Sequence, residues 1–164
     1  TAIVYGLATR EWRVDNARLH RLGQPNASDV EIYKEADPTF RVGSGLSAQE
    51  DWLILSTGDN ETSEVRLVRA DDPTGAQLLV RPRRKGVEYD VDVREGKLWV
   101  LTNDDHVNFR LATASLDAPG EWTTVIAGSD DFYLTDFSLF KDFYVTEGRL
   151  QGLDQVQLRD YRDA

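Results

Sequence analysis

Ser47 stands in Gly45-Leu46-Ser47-Ala48-Gln49, the nearest approach in this chain to the G-x-S-x-G turn that raises a hydrolase nucleophile. That turn needs a strand before the serine, a helix after it and a second glycine two residues on. Gln49 replaces the second glycine, and no helical spacing follows. Ser44, between Gly43 and Gly45, fails the same spacing and reads as a tight backbone passage. The two imidazoles are His20 and His106. His20 falls inside a strand pattern, and His106 falls in a hairpin beside Asp104 and Asp105, where it reads as an exposed loop residue. Zinc requires three or four ligands in a set arrangement, and neither HxH nor HExxH occurs. Asp59-Asn60-Glu61 opens like a calcium loop. The glycine required at its sixth position is Glu64, and the glutamate required at its twelfth is Ala70. Asp71-Asp72 and Asp130-Asp131 are carboxylate pairs at strand ends, where adjacent acids face water. No nucleophile, base and oxyanion hole can be assembled from these residues. No catalytic, cofactor-binding or metal-binding residue is therefore assigned, and no cofactor is expected.

Charge narrows the partners. The chain carries 29 acidic and 19 basic residues, a formal net charge of −10. That balance disfavours nucleic acid and anionic membrane surfaces. The one basic run, Arg81-Pro82-Arg83-Arg84-Lys85, lacks interleaved aromatics and reads as a connector paired with nearby acids. Cysteine is absent, which excludes disulfides and thiolate chemistry. No apolar run approaches a membrane span and no signal peptide opens the chain. The expected location is cytoplasmic. Methionine is also absent, and the chain opens inside an apparent strand, Ala2-Ile3-Val4-Tyr5, as expected of a piece of a longer protein.

The elements that would position any site are strands. Trp52-Leu53-Ile54-Leu55 is an apolar run of strand length, Gly58-Asp59-Asn60 is a turn, and Glu64 to Arg69 alternates with period 2. The triplet Val65-Arg66-Leu67 recurs as Ala17-Arg18-Leu19, Phe109-Arg110-Leu111 and Val156-Gln157-Leu158. The middle residues stand at 18, 66, 110 and 157, so the spacings are 48, 44 and 47. Strand-built repeats of this period are the mark of propeller blades. The reading is all-β, a partial β-propeller of about three and a half four-stranded blades. Units fall at about 1–37 (partial), 38–86, 87–131 and 132–164 (partial), with 3, 4, 4 and 3 strands. Glu95-Gly96 turns the chain within the third, and the last strand of the fourth runs from Gln155 to Tyr161. The inner strands are Phe40–Gly45, Tyr89–Val93 and Leu134–Ser138. Arg41, Asp90, Asp92 and Asp136 are then the polar side chains nearest a central channel, as lining residues or as ordinary solvated strand faces.

Three runs carry a family resemblance. They are Ser56 to Val65, Gly86 to Asp92, and Leu101-Thr102-Asn103-Asp104 with Asn108-Phe109-Arg110-Leu111. Together with Arg18 to Gly23 and Val42 to Gly45, they resemble the propeller of the prolyl oligopeptidase family, nearest its oligopeptidase B (protease II) branch. The resemblance implies a seven-bladed propeller followed by a C-terminal α/β-hydrolase domain. The catalytic triad of such a parent lies in that second domain and has no counterpart here. The implied parent is a serine-type endopeptidase that cleaves short peptides after Arg or Lys, with this portion gating access. The competing reading is a piece of a non-enzymatic binding or scaffold propeller. In either case the end units should leave apolar faces open. Ile3, Val4, Tyr5 and Leu7 stand at one end. Phe132, Tyr133, Leu134, Phe137, Phe140, Phe143 and Tyr144 stand at the other. A homo-oligomer of the chain, or contact with the rest of a parent, is expected to cover them.

Overall fold

Period-2 alternation dictates strands, and strands are what the computed structural model contains throughout the residues it describes, 1–163. Fourteen strands build four antiparallel sheets of three, four, four and three strands. The two helical elements among the described residues are single 3-10 turns, Asn26–Ser28 and Tyr161–Asp163. No helix among them is long and apolar enough to cross a membrane.

Residues 1–85 form one compact unit. Strands β1 (Ala2–Ala8), β2 (Val14–Arg21) and β3 (Val30–Lys34) make its first sheet, in that order. Strands β4 (Arg41–Leu46), β5 (Trp52–Gly58), β6 (Ser63–Arg69) and β7 (Gln77–Arg81) make its second, also in chain order. On β5 the odd residues Leu53, Leu55 and Thr57 are buried while their neighbours are half-buried, as alternation requires. Ala17, Leu19 and Ile32 of the first sheet meet Val42, Leu53, Leu55 and Val68 of the second in one core.

Residues 86–164 form the other compact unit. Strands β8 (Tyr89–Arg94), β9 (Lys97–Thr102), β10 (Arg110–Ser115) and β11 (Thr123–Ile126) form its four-stranded sheet, with β8 on an edge. Strands β12 (Phe132–Leu139), β13 (Tyr144–Leu150) and β14 (Leu153–Arg159) form its three-stranded sheet. Trp99, Leu101 and Leu111 of the former pack with Leu134, Phe137, Leu139 and Tyr144 of the latter. Both faces of β9 and β10 are buried, which explains their near-continuous apolar runs.

Two expectations need correction. The strand expected over 155–161 begins earlier and ends at Arg159, because Gln151 (φ 52°) and Gly152 (φ 81°) make a two-residue hairpin that pairs Leu150 with Leu153. Gly148 lies inside β13. A Cβ there would stand 2.4 Å from the Phe132 ring, so only glycine lets that ring lie on the strand. The second correction concerns the open apolar face. Leu134, Phe137 and Tyr144 are core residues and Tyr133 and Phe140 are exposed as expected, while Leu153, Val156 and Leu158 on the edge strand β14 are about two-thirds exposed. At the chain start Ile3 and Leu7 are exposed, as expected. Surface of this kind beside an unpaired strand edge favours association. Purified chain should therefore bind an apolar dye and sediment above 18.6 kDa at micromolar concentration, and Val156→Lys with Leu158→Lys should abolish both effects.

Candidate functional site

The aspartates singled out by sequence lie on first strands of sheets, Asp90 and Asp92 on β8 and Asp136 on β12. Each is aligned the same way. The Oδ1 of Asp90, Asp92 and Asp136 accepts a hydrogen bond from the backbone N–H of the next residue, at 2.8, 2.7 and 2.7 Å. Asp136 sits where the register of β12 on β13 shifts between Leu134 and Asp136, an irregularity that re-aims a side chain. Asp90 and Asp136 are exposed and Asp92 is half-buried. Surrounding protein mass nevertheless pushes the Asp90 carboxyl above its ordinary range. The bond from Val91 N–H opposes that shift and the nearby Asp136 charge adds to it. Two neighbouring carboxylates of this kind gain most from a cation, an ammonium or a guanidinium. Arg41, exposed at the start of β4, belongs to the other unit.

None of the residues suited to covalent chemistry is placed to perform it. Ser47 is buried in the turn after β4. Its hydroxyl donates to Asp51 Oδ1 at 2.8 Å and accepts from Trp52 N–H at 3.1 Å, which makes it a turn cap. Ser44 lines a cavity of about 430 Å3 whose walls are largely apolar, among them Val4, Leu19, Leu46 and Leu53. His20 Nδ1 lies 2.7 Å from Asp29 Oδ1, and Asp29 Oδ2 accepts from the Tyr5 hydroxyl at 2.7 Å. The His20 bond, then the Tyr5 bond, hold the Asp29 carboxyl below its usual range. An Asp–His pair of this sort orients a general base in hydrolases, but the hydroxyl here is bound to the acid and not to the ring. His106 is only partly exposed, contrary to the expectation of an exposed loop residue. Its Nδ1 accepts from Asn108 N–H at 3.0 Å, its Nε2 lies 3.3 Å from Asp130 Oδ1, and the ring fills the space beside Gly128. Asp59 Oδ1 accepts from the N–H groups of Glu61 and Thr62 at 2.9 and 2.8 Å, the hairpin cap expected of that stretch. Among the described residues no three His, Asp or Glu side chains converge as metal ligands.

The basic run resolves into a buried ion network that sequence reasoning anticipated only in outline. Arg83 Nη2 lies 2.6 Å from Glu35 Oε2 and 3.3 Å from Glu64 Oε1, and the Arg83 N–H donates to Glu64 Oε2 at 3.0 Å. Arg66 Nη1 reaches Glu64 Oε1 at 2.5 Å, and the Tyr33 hydroxyl donates to Glu35 Oε2 at 3.0 Å. The Arg83 guanidinium lies over the Phe40 ring, 4.2 Å from its centroid. The network ties the first sheet of its unit to the second. The middle residue of the repeated triplet thus has a structural task. Arg66 serves this network, and Arg110 grips Asp104 through Nε and Nη2 at 2.8 and 3.1 Å and Thr124 through Nη1 at 2.6 Å. Arg18 donates to the Asp29 carbonyl at 2.9 Å.

Residues 9–164 match the family model described as "Prolyl oligopeptidase, N-terminal beta-propeller domain". The chain belongs to the prolyl oligopeptidase family. Protease 2 of Moraxella lacunata is 32% identical over 137 residues, 84% of this chain and 20% of that protein. Dipeptidyl aminopeptidase BI of Pseudoxanthomonas mexicana is 32% identical over 145 residues, 86% of this chain and 20% of that protein. Oligopeptidase B from Trypanosoma brucei, solved in a closed form with covalently bound antipain, superposes with a TM-score of 0.93 at 34% identity. That superposition covers 98% of this chain and 23% of that one. The all-β sheets are thus those of the family's propeller domain, and the chain spans about a fifth of the length of the curated relatives it matches.

Proposed function

We propose that this chain is the substrate-gating part of the propeller of a serine oligopeptidase resembling oligopeptidase B. In this reading the four sheets are successive blades of one propeller, presumed seven-bladed, and residues 1–164 make up one fragment of it. The triad is supplied by a C-terminal α/β-hydrolase domain of the parent. Short peptides are the substrates, cleaved after basic residues, and the parent works in the cytoplasm. The observation that carries the reading is the match to Trypanosoma brucei oligopeptidase B across nearly the whole chain. Two features of this chain support it. Ser47 caps a turn through Asp51 and Trp52 and no imidazole meets its hydroxyl, which favours a nucleophile supplied by another domain. Asp90, Asp92 and Asp136 give the first strands of the second unit an acidic character suited to basic peptides. Arg41 is the fourth residue assigned to the channel lining.

Two measurements test this. The purified chain should release no fluorophore from peptide substrates with Arg or Lys before the scissile bond. Turnover lost on Ser47→Ala would overturn the non-catalytic reading. The parent should encode a G-x-S-x-G hydrolase domain beyond residue 164, cleave those peptides, and reject folded proteins. A parent that continues into an unrelated module would sink the oligopeptidase reading.

A further inference from the structure

At the turn end of β8 and β9 the second unit holds a cavity of about 280 Å3, lined by Arg94, Glu95, Lys97, Trp99, Lys141 and Tyr161. Its composition runs against the molecule. Three cations and one carboxylate line it in a chain of net charge −10. The Arg94 side chain is 11% exposed. Its Nη2 donates to Glu95 Oε1 at 2.7 Å and to the Lys141 carbonyl at 2.6 Å, leaving Nε and Nη1 with donor capacity. The guanidinium carbon lies 5.2 Å from the centroid of the Tyr161 ring, whose hydroxyl donates to the Phe140 carbonyl at 2.7 Å. Lys97 Nζ lies 5.5 Å from the Trp99 ring centroid. Among the described residues, neither Lys97 nor Lys141 pairs with a carboxylate.

These parts are assembled rigidly. Glu95 (φ 50°) and Gly96 (φ 72°) form the tight turn that sets Lys97 opposite Arg94 in the β8–β9 register. Arg94 in turn clamps the Lys141 backbone, which fixes the turn between β12 and β13 against the rim. A guanidinium and two ammonium groups around a partly enclosed space lower the energy of an oxyanion there. The guanidinium also offers the planar donor fork that carboxylates and phosphates match. Trp99 and Tyr161 add flat apolar walls, and the volume suits a ligand of small-metabolite size.

We propose that this cavity is a binding site for a small organic oxyanion, a phosphate or carboxylate carried on a flat or apolar body. The site shares β8 with the acidic first-strand residues, and the charge of Asp92, two residues before Arg94, reaches Tyr161. The binding does not depend on any peptidase activity of a parent. The test is titration of the chain with phenyl phosphate and, separately, with benzoate, followed through the backbone amide resonances of Glu95, Gly96, Lys97, Lys141 and Tyr161. Saturable shifts confined to those residues are expected. Lys97→Gln with Lys141→Gln, both on exposed side chains, should weaken binding at least about tenfold while leaving the circular dichroism spectrum unchanged. Tighter binding of phenyl phosphate assigns a phosphorylated ligand, and tighter binding of benzoate a carboxylate. Absence of saturable shifts with both probes at millimolar concentration overturns the proposal. So does equal affinity in the double variant.

Discussion

Glu64→Ala should lower the unfolding free energy of the first unit by about 3–5 kcal/mol, the usual cost of breaking a buried ion pair from one side. The Glu64 side chain is 7% exposed and serves Arg66, Arg83 and the Arg83 backbone at once. Its removal leaves two guanidinium groups short of a counter-charge and one backbone donor unsatisfied, which is why the loss should exceed that of a surface pair. Glu35→Ala should cost less, because Glu64 remains beside Arg83. The double variant should fall short of the sum of the single losses, since both acids share one arginine. Acidity should act on the same network. Burial pushes the Glu64 and Glu35 carboxyls up. For Glu64 the bonds from the backbone and side chain of Arg83 and from Arg66 outweigh burial. For Glu35 those from Arg83, the Asp37 N–H and Tyr33 do so, and both carboxyls end below the ordinary glutamate range. A depressed carboxyl stabilises the fold fully above its unfolded pKa, about 4.3, and that stabilisation is lost as pH falls through the lower folded value. The native chain should therefore lose stability below about pH 4 more steeply than Glu64→Ala. Urea melts at pH 7 and pH 3 decide it. A loss under about 1 kcal/mol at pH 7, or an identical pH dependence in the variant, would show the network to be solvated.

How much of this could be read beforehand follows from what each residue reports about its surroundings. In its first three copies the repeated triplet was legible because Ala17, Leu19, Val65, Leu67 and Leu111 are fully or nearly fully buried, whereas Val156 and Leu158 of the fourth copy lie exposed on an edge strand. Asp59 and the Glu95-Gly96 turn were legible because turn geometry restricts residue type locally. Gln151-Gly152 makes a turn of the same two-residue kind as Glu95-Gly96. That turn goes unread in the sequence because the last strand is expected only from Gln155 onward, beyond it. The partners of Arg83 were foreseen only as nearby acids. Glu35 lies 48 residues away in sequence, and nothing along the chain marks it as buried. The three aspartates were legible as polar members of alternating strands. The coupling of Asp90 to Asp136 was not, because it joins residues of two different sheets. The cavity at Arg94 was invisible for the same reason, since Arg94 and Lys97 belong to one sheet while Lys141 and Tyr161 lie in segments that flank the strands of the other.

Trp99→Ala should cost the second unit about 3–5 kcal/mol, the range for emptying a large aromatic site in a core. Trp99 is 2% exposed and lies at the centre of an aromatic group, with ring centroids 5.0 Å from Tyr144 and 5.8 Å from Tyr161. Tyr144 and Tyr161 are themselves 5.5 Å apart, so the three rings form a closed set. The set is built across the two sheets of the unit, Trp99 from β9 and Tyr144 from β13, with Tyr161 from the turn that follows β14. Removing the indole takes away the surface on which both tyrosines rest and leaves a void that strands fixed by hydrogen bonds on both sides cannot close. Trp99→Phe should cost less, because a ring remains between Tyr144 and the Leu101–Leu111 side of the core. Equilibrium urea unfolding followed by circular dichroism gives the ordering. If Trp99→Ala does not fold, the phenylalanine variant and near-ultraviolet dichroism of the tyrosines still report it. A Trp99→Phe variant as stable as the parent would show that the core needs only an apolar filler there, and a Trp99→Ala loss below about 1 kcal/mol would show that the two sheets hold together without the aromatic set.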